Sequence, residues 1–71
     1  MGIKNEVEKF AAAKGIALRD YQKSNLRDIE RDFENKRIEA DKALSRISDE
    51  FKKEGKFLSS SEQSELKGKI K

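Results

Sequence analysis

The sequence predicts an all-α protein, and two observations support that fold class. Of its 71 residues, 44% are charged and 34% are apolar, proline is absent, and Ala, Leu, Glu, Lys and Arg are plentiful, which is typical of long helices. The apolar residues recur at helical spacing, most clearly between positions 18 and 51. We expect residues 1–71 to form a single small helical domain, because a chain this short buries only one modest core.

A first, short helix is predicted over residues 5–14. Asn5 followed by Glu8 fits a capping box at its start. Lys14 and Gly15 mark its end, because a cation in the last turn and a glycine directly after it are typical of helix termination. Its apolar residues are spaced three and four apart, so they share one face of the helix.

A single long amphipathic helix is predicted over residues 18–54. Its apolar residues keep helical spacing throughout, and Lys53 and Gly55 repeat the pattern of a cation and then a glycine at the end. At the rise of an α-helix it would be about 55 Å long. Its apolar positions recur about every 3.67 residues, which favours a straight helical hairpin or bundle over a left-handed coiled coil.

A short third helix is predicted over residues 61–70. Ser59 followed by Glu62 fits a capping box just before it. In the link that precedes it, Phe57 and Leu58 are apolar neighbours. We expect both side chains to fold back onto the last turns of the long helix.

The apolar face of the long helix, called here the long-helix face, is the candidate protein interface. Its middle is thin, because Arg37 and Ala40 interrupt a run of larger apolar side chains. The two short helices offer too few apolar residues to cover a helix about 55 Å long. We therefore expect self-association, or another protein's helix, to complete the bundle. The predicted interface residues are Leu26, Ile29, Phe33, Arg37, Ala40, Leu44, Ile47 and Phe51.

This composition favours a non-enzymatic interaction module, such as an adaptor, inhibitor or assembly factor. Neither His nor Cys is present, so the commonest catalytic side chains and soft metal ligands are missing. Asp28, Glu30 and Asp32 match the first alternating positions of a calcium loop, but Phe33 occupies the position of its glycine. We expect no enzymatic activity, no cofactor and no metal site.

The alternative is a small dimeric nucleic-acid-binding transcriptional regulator with a helix-turn-helix-like N-terminal part. Ala11, Gly15 and Ile16 match the Ala-x-x-x-Gly-Ile core of that motif, although so short a match arises easily by chance. The segment from Leu18 would then begin the recognition helix. Its side chains able to contact bases or phosphates are Arg19, Gln22, Lys23 and Arg27.

The charge distribution is weaker than that of most nucleic-acid-binding proteins. The net charge is +3, with basic ends and a slightly acidic middle rather than one dense basic stripe. No segment approaches the ~20 apolar residues of a membrane span. The first residues lack the apolar run of a signal peptide. These features predict a soluble cytoplasmic protein with no membrane partner.

Overall fold

The fold is a ring of four helices around one core. A computed structural model describes residues 2–70, and the helices within them are α1 (Ile3–Ala13), α2 (Asp20–Glu34), α3 (Ala40–Lys53) and α4 (Ser60–Ile70). Each helix packs against the next, and α4 returns to α1, which closes the ring. The fold measures 30 × 26 × 19 Å. The predicted all-α class is confirmed for the described residues, among which there is no strand.

The prediction of one long helix over residues 18–54 is wrong, because the chain turns between α2 and α3. Lys36 has a positive φ of 60°. The N–H of Arg37 donates to the carbonyl of Asp32 at 2.8 Å, and the N–H of Lys36 donates to that of Phe33 at 3.1 Å. These two bonds are the pairing of a Schellman helix end, in which a left-handed residue reverses the chain and satisfies the last carbonyls.

All three links between helices begin in this way, and the chain has a period of about 20 residues. Gly15 and Gly55 take the left-handed position in the other two links, with φ of 74° and 76°. The helices that follow start at residues 20, 40 and 60. Two residues before each start, an apolar side chain turns inward and packs against the core. These side chains are Leu18, Ile38 and Leu58.

The starts of α1 and α4 differ from the sequence in instructive ways. Helix α1 begins at Ile3 rather than at residue 5, so the predicted Asn5 cap lies inside the helix. A carboxylate from α2 serves the start of α1 instead, since Glu30 accepts the N–H of Lys4 at 3.0 Å. At α4 the predicted capping box forms. Ser59 Oγ accepts the N–H of Glu62 at 3.2 Å, and Glu62 accepts the N–H of Ser59 at 3.0 Å.

The core draws on all four helices. At its centre the ring of Phe10 in α1 meets the ring of Phe51 in α3 edge-on, with centroids 5.9 Å apart. Such aromatic pairs add to the free energy gained from burial alone. The buried apolar residues are Ile3, Val7, Phe10, Ala11, Leu26, Ile29, Ala43, Leu44, Ile47, Phe51, Leu66 and Ile70.

Substitutions at two glycines should have effects of opposite sign. Gly15→Ala should destabilise the protein by about 1 kcal/mol, because an L side chain is strained at a left-handed position. A Cβ at Gly15 would meet no atom within 4 Å, so backbone strain alone would cause the loss. Gly68→Ala, inside α4 and also in open space, should stabilise by about 0.5–1 kcal/mol through helix propensity. Urea unfolding measures both; equal signs would contradict the assignment.

Candidate interaction surface

The long-helix face does not form a continuous surface. Five of its residues lie in the core, where the chain's own α1 and α4 pack against α2 and α3. Sequence reasoning left these residues for another protein because a 55 Å helix cannot be covered by two short ones. The turn at residues 35–39 folds the two halves together and removes that difficulty. The buried residues of the predicted interface are Leu26, Ile29, Leu44, Ile47 and Phe51.

The remaining interface residues lie near the corner between α2 and α3. Phe33 and Ile38 are half-buried there and line a shallow hollow of about 490 Å³. Arg37 is exposed, with its Nη1 3.9 Å from Asp32 Oδ1. Ala40 is half-buried at the first turn of α3. The corner therefore keeps Phe33, Arg37 and Ala40 accessible, but as a small patch of mixed polarity.

Asp32 holds this corner together through arginines from three parts of the chain. Arg46 in α3 donates from Nη1 to Asp32 Oδ2 at 2.9 Å. Arg31 and Arg37 place guanidinium nitrogens 3.8 and 3.9 Å from Oδ1. The hydrogen bond from Arg46, helped by the other two charges, holds the pKa of Asp32 below its usual range. The cluster thus fastens α3 to the last turn of α2.

Acid should weaken this fastening in a defined direction. The folded-state pKa of Asp32 lies below its unfolded value, so its contribution is complete above pH ~4 and is lost as pH falls through the folded pKa. Asp32→Asn should therefore flatten the fall in unfolding free energy below pH ~4 relative to the natural chain. Urea titrations at a series of pH values measure the difference. Parallel curves for the two proteins would mean that the Asp32–Arg46 contact contributes nothing.

Phe57 is the most exposed large apolar side chain among the described residues, at 70%. It lies in the link between α3 and α4, beside a groove of about 380 Å³. Leu44 and Leu58 give this groove an apolar lining, and Asp41 and Asp49 contribute carboxylates. We call it the Phe57 groove. It is the one place where a large exposed aromatic ring, an apolar lining and a concave shape coincide in the described chain.

The sequence-based expectation for Phe57 was wrong. Leu58 packs against the core as expected, but Phe57 does not. Neighbouring side chains in an extended link point to opposite sides, so only one of the two can turn inward. The 20-residue recurrence of Leu18, Ile38 and Leu58 was the signal that Leu58 is the inward one.

Ser48 gives the groove a second unusual feature. The residue is 9% exposed and lines the groove from α3. Its hydroxyl has no hydrogen-bond partner among the described residues. A buried polar group left without a partner costs about 1–3 kcal/mol. The groove therefore contains a polar atom that an incoming group would satisfy.

Gln22, one of the predicted nucleic-acid contacts, is a structural residue. It is fully buried, its Nε2 donates to the carbonyl of Glu50 at 2.8 Å, and its Oε1 accepts the N–H of Arg19 at 2.9 Å. The side chain thereby ties the start of α2 to the last turns of α3. Because both ends of its amide are used inside the protein, Gln22 is not available to read a base.

The other predicted contacts surround acidic side chains. Arg19 lies just before α2, since the helix begins at Asp20 rather than at residue 18, and its Nε donates to Glu54 at 3.2 Å. Lys23 is half-buried and Arg27 is exposed. Their charges help to lower the pKa of Glu8, whose first cause is its hydrogen bond with Lys4. This part of the surface is therefore of mixed charge.

Comparisons with known proteins add no further constraint on the site. The chain matches no protein-family model, no curated protein and no solved structure at a significant level. None of the helices between residues 2 and 70 combines the length and the apolar character needed to cross a lipid bilayer. The surface described above is therefore the basis on which a function can be argued.

Proposed function

We propose that the protein is a non-enzymatic protein–protein interaction module and that the Phe57 groove is its contact surface. The observation that supports this is the position of Phe57, exposed by 70% at a groove with an apolar lining. Burying such a ring would gain about 1.5–3 kcal/mol, which this chain leaves unused. Aromatic side chains next to pockets are the commonest energetic centres of protein interfaces.

The proposal moves the interface from the long-helix face to the link after α3. It keeps the mode of action inferred from the sequence, which is the covering of apolar surface by another polypeptide. The corner residues Phe33, Arg37 and Ala40 stay a prediction for a second, smaller contact. An adaptor, an inhibitor and an assembly factor would all act through a surface of this kind.

A stability measurement tests whether Phe57 is kept for a purpose other than folding. Phe57→Ser should change the free energy of unfolding by less than about 0.5 kcal/mol, because the side chain contributes little to the core. Helix content measured by circular dichroism should also be unchanged. A loss of several kcal/mol would assign Phe57 to the fold and remove the main support for the proposal.

A photo-crosslinking experiment tests the contact itself. A benzophenone amino acid at position 57 in the full chain should give discrete covalent protein adducts in the native cell. The matched control carries the same group at position 27, an exposed site on α2 away from the groove residues. Adducts at position 57 alone support the proposal. Equal adducts at both positions, or none at position 57, contradict it.

The nucleic-acid-binding alternative has a direct test of its own. With Gln22 buried, only Arg19, Lys23 and Arg27 remain as candidate contacts, and their charges would favour phosphates over bases. Binding of labelled duplex DNA at low salt, falling steeply as salt rises, would support that function. No binding at ~50 mM salt would eliminate it. Because none of these three side chains lies in the Phe57 groove, the two functions can be separated by substitution.

A further inference from the structure

We infer that the occupant of the Phe57 groove is a second copy of this chain, in a two-fold dimer in which each Phe57 ring enters the other copy's groove. This inference rests on the proposed function and adds the identity of the partner. A two-fold interface requires one patch to be complementary to itself, so that residue i meets residue j and j meets i. Phe57 meets that requirement, because it is both a projecting ring and part of the groove's lining.

The size of the groove suits an aromatic ring. Its volume is about 380 Å³. An apolar cavity of about 150 Å³ in another protein is known to accept benzene, which has the size of the phenylalanine ring. Leu44 and Leu58 would supply the apolar contacts. The unpartnered hydroxyl of Ser48 would gain an acceptor from a backbone carbonyl of the incoming link.

The charges around the groove also favour self-pairing. Asp41 and Asp49 contribute two carboxylates, and Lys52 in the lining and Lys56 beside Phe57 contribute two ammonium groups. The patch is thus neutral in sum, while the whole chain carries +3. Two copies of a patch with a single sign of charge would repel each other, whereas two mixed patches can place opposite charges together. Of the whole surface, this patch brings two copies together with little repulsion.

The dimer should be weak. A standard interface covers about 800 Å² on each partner, whereas the described residues expose 4523 Å² in all. One ring and one groove on each copy cover only part of a standard interface, so we expect a dissociation constant of the order of 10–500 μM.

Sedimentation of the full chain from about 5 μM to 1 mM, a range chosen to bracket that affinity, tests the inference. The average mass should rise from 8.2 kDa towards twice that value. Phe57→Ser should raise the dissociation constant at least tenfold. Tyr21→Ser is the matched control, because it removes the other large exposed aromatic side chain, 51% exposed on α2, and should leave the association unchanged.

A second measurement locates the contact. In a mixture of isotope-labelled and unlabelled chains, filtered NMR spectra should show intermolecular contacts between the ring of Phe57 and the methyl groups of Leu44 and Leu58. A strictly monomeric mass up to 1 mM, or a dimer that Phe57→Ser does not weaken, would overturn the inference. Crosslinking at position 57 only to other proteins would also overturn it, and would leave the proposed interaction function standing.

Discussion

Phe51→Ala should lower the free energy of unfolding by about 3–5 kcal/mol, the range measured for buried phenylalanines in other proteins. The side chain of Phe51 is completely buried, and its ring meets Phe10 edge-on with an angle of 61° between the planes. The pair joins two helices that lie across the ring of four from each other. A domain of this size has only about 3–5 kcal/mol of stability to lose. The variant should therefore be largely unfolded at 25 °C.

Circular dichroism and urea unfolding measure this effect, and the chain provides its own control. Phe57→Ala makes the same chemical change six residues later, at a site exposed by 70%. It should leave the unfolding curve in place to within about 0.5 kcal/mol. If Phe51→Ala retained a cooperative transition with a loss below about 1 kcal/mol, the centre of the core would have to lie elsewhere.

Gln22→Ala should have the second largest effect, a loss of about 2–3 kcal/mol. The substitution leaves the carbonyl of Glu50 and the N–H of Arg19 without the amide that now joins them. It also leaves a small cavity at a site that has no exposed surface. Urea unfolding followed by circular dichroism measures the loss.

Two further variants sharpen this result. Gln22→Glu keeps the acceptor for the N–H of Arg19 but removes the donor to Glu50 and buries a charge, so it should destabilise at least as strongly. Arg27→Ala, on the exposed side of the same helix, should be nearly neutral. If Gln22→Ala were as neutral as Arg27→Ala, Gln22 would again be a candidate for contact with nucleic acid.

The helical class and two of the three helix ends could be predicted, because they depend on local chemistry. Gly15 and Gly55 relieve the strain of a left-handed position, and both turns lie where the sequence indicated. The third turn was hidden, because Lys36 takes the same conformation without being a glycine. The apolar residues also keep helical spacing across it, so periodicity alone predicts a continuous helix. The signal that sequence reasoning missed was the 20-residue recurrence of Ile38 with Leu18 and Leu58.

The candidate site was harder to predict than the helices. Helical spacing identifies which residues form an apolar face, but not whether the same chain or another protein covers it. That depends on the turn at Lys36, which a continuous helix would not contain. Gln22 could have been recognised as buried, because it lies four residues before Leu26 on that face. The exposure of Phe57 follows from the inward turn of Leu58 and needs the three-dimensional structure.

The ring of four helices has a consequence for the speed of folding. Each of the contacts from α1 to α2, α2 to α3 and α3 to α4 joins neighbours in sequence. Only the contact between α1 and α4 brings the two ends of the chain together. Such low contact order is typical of domains that fold in microseconds to milliseconds. We expect the seam between α1 and α4 to form after the transition state, so that substitutions at Val7 or Leu66 accelerate unfolding more than they slow folding.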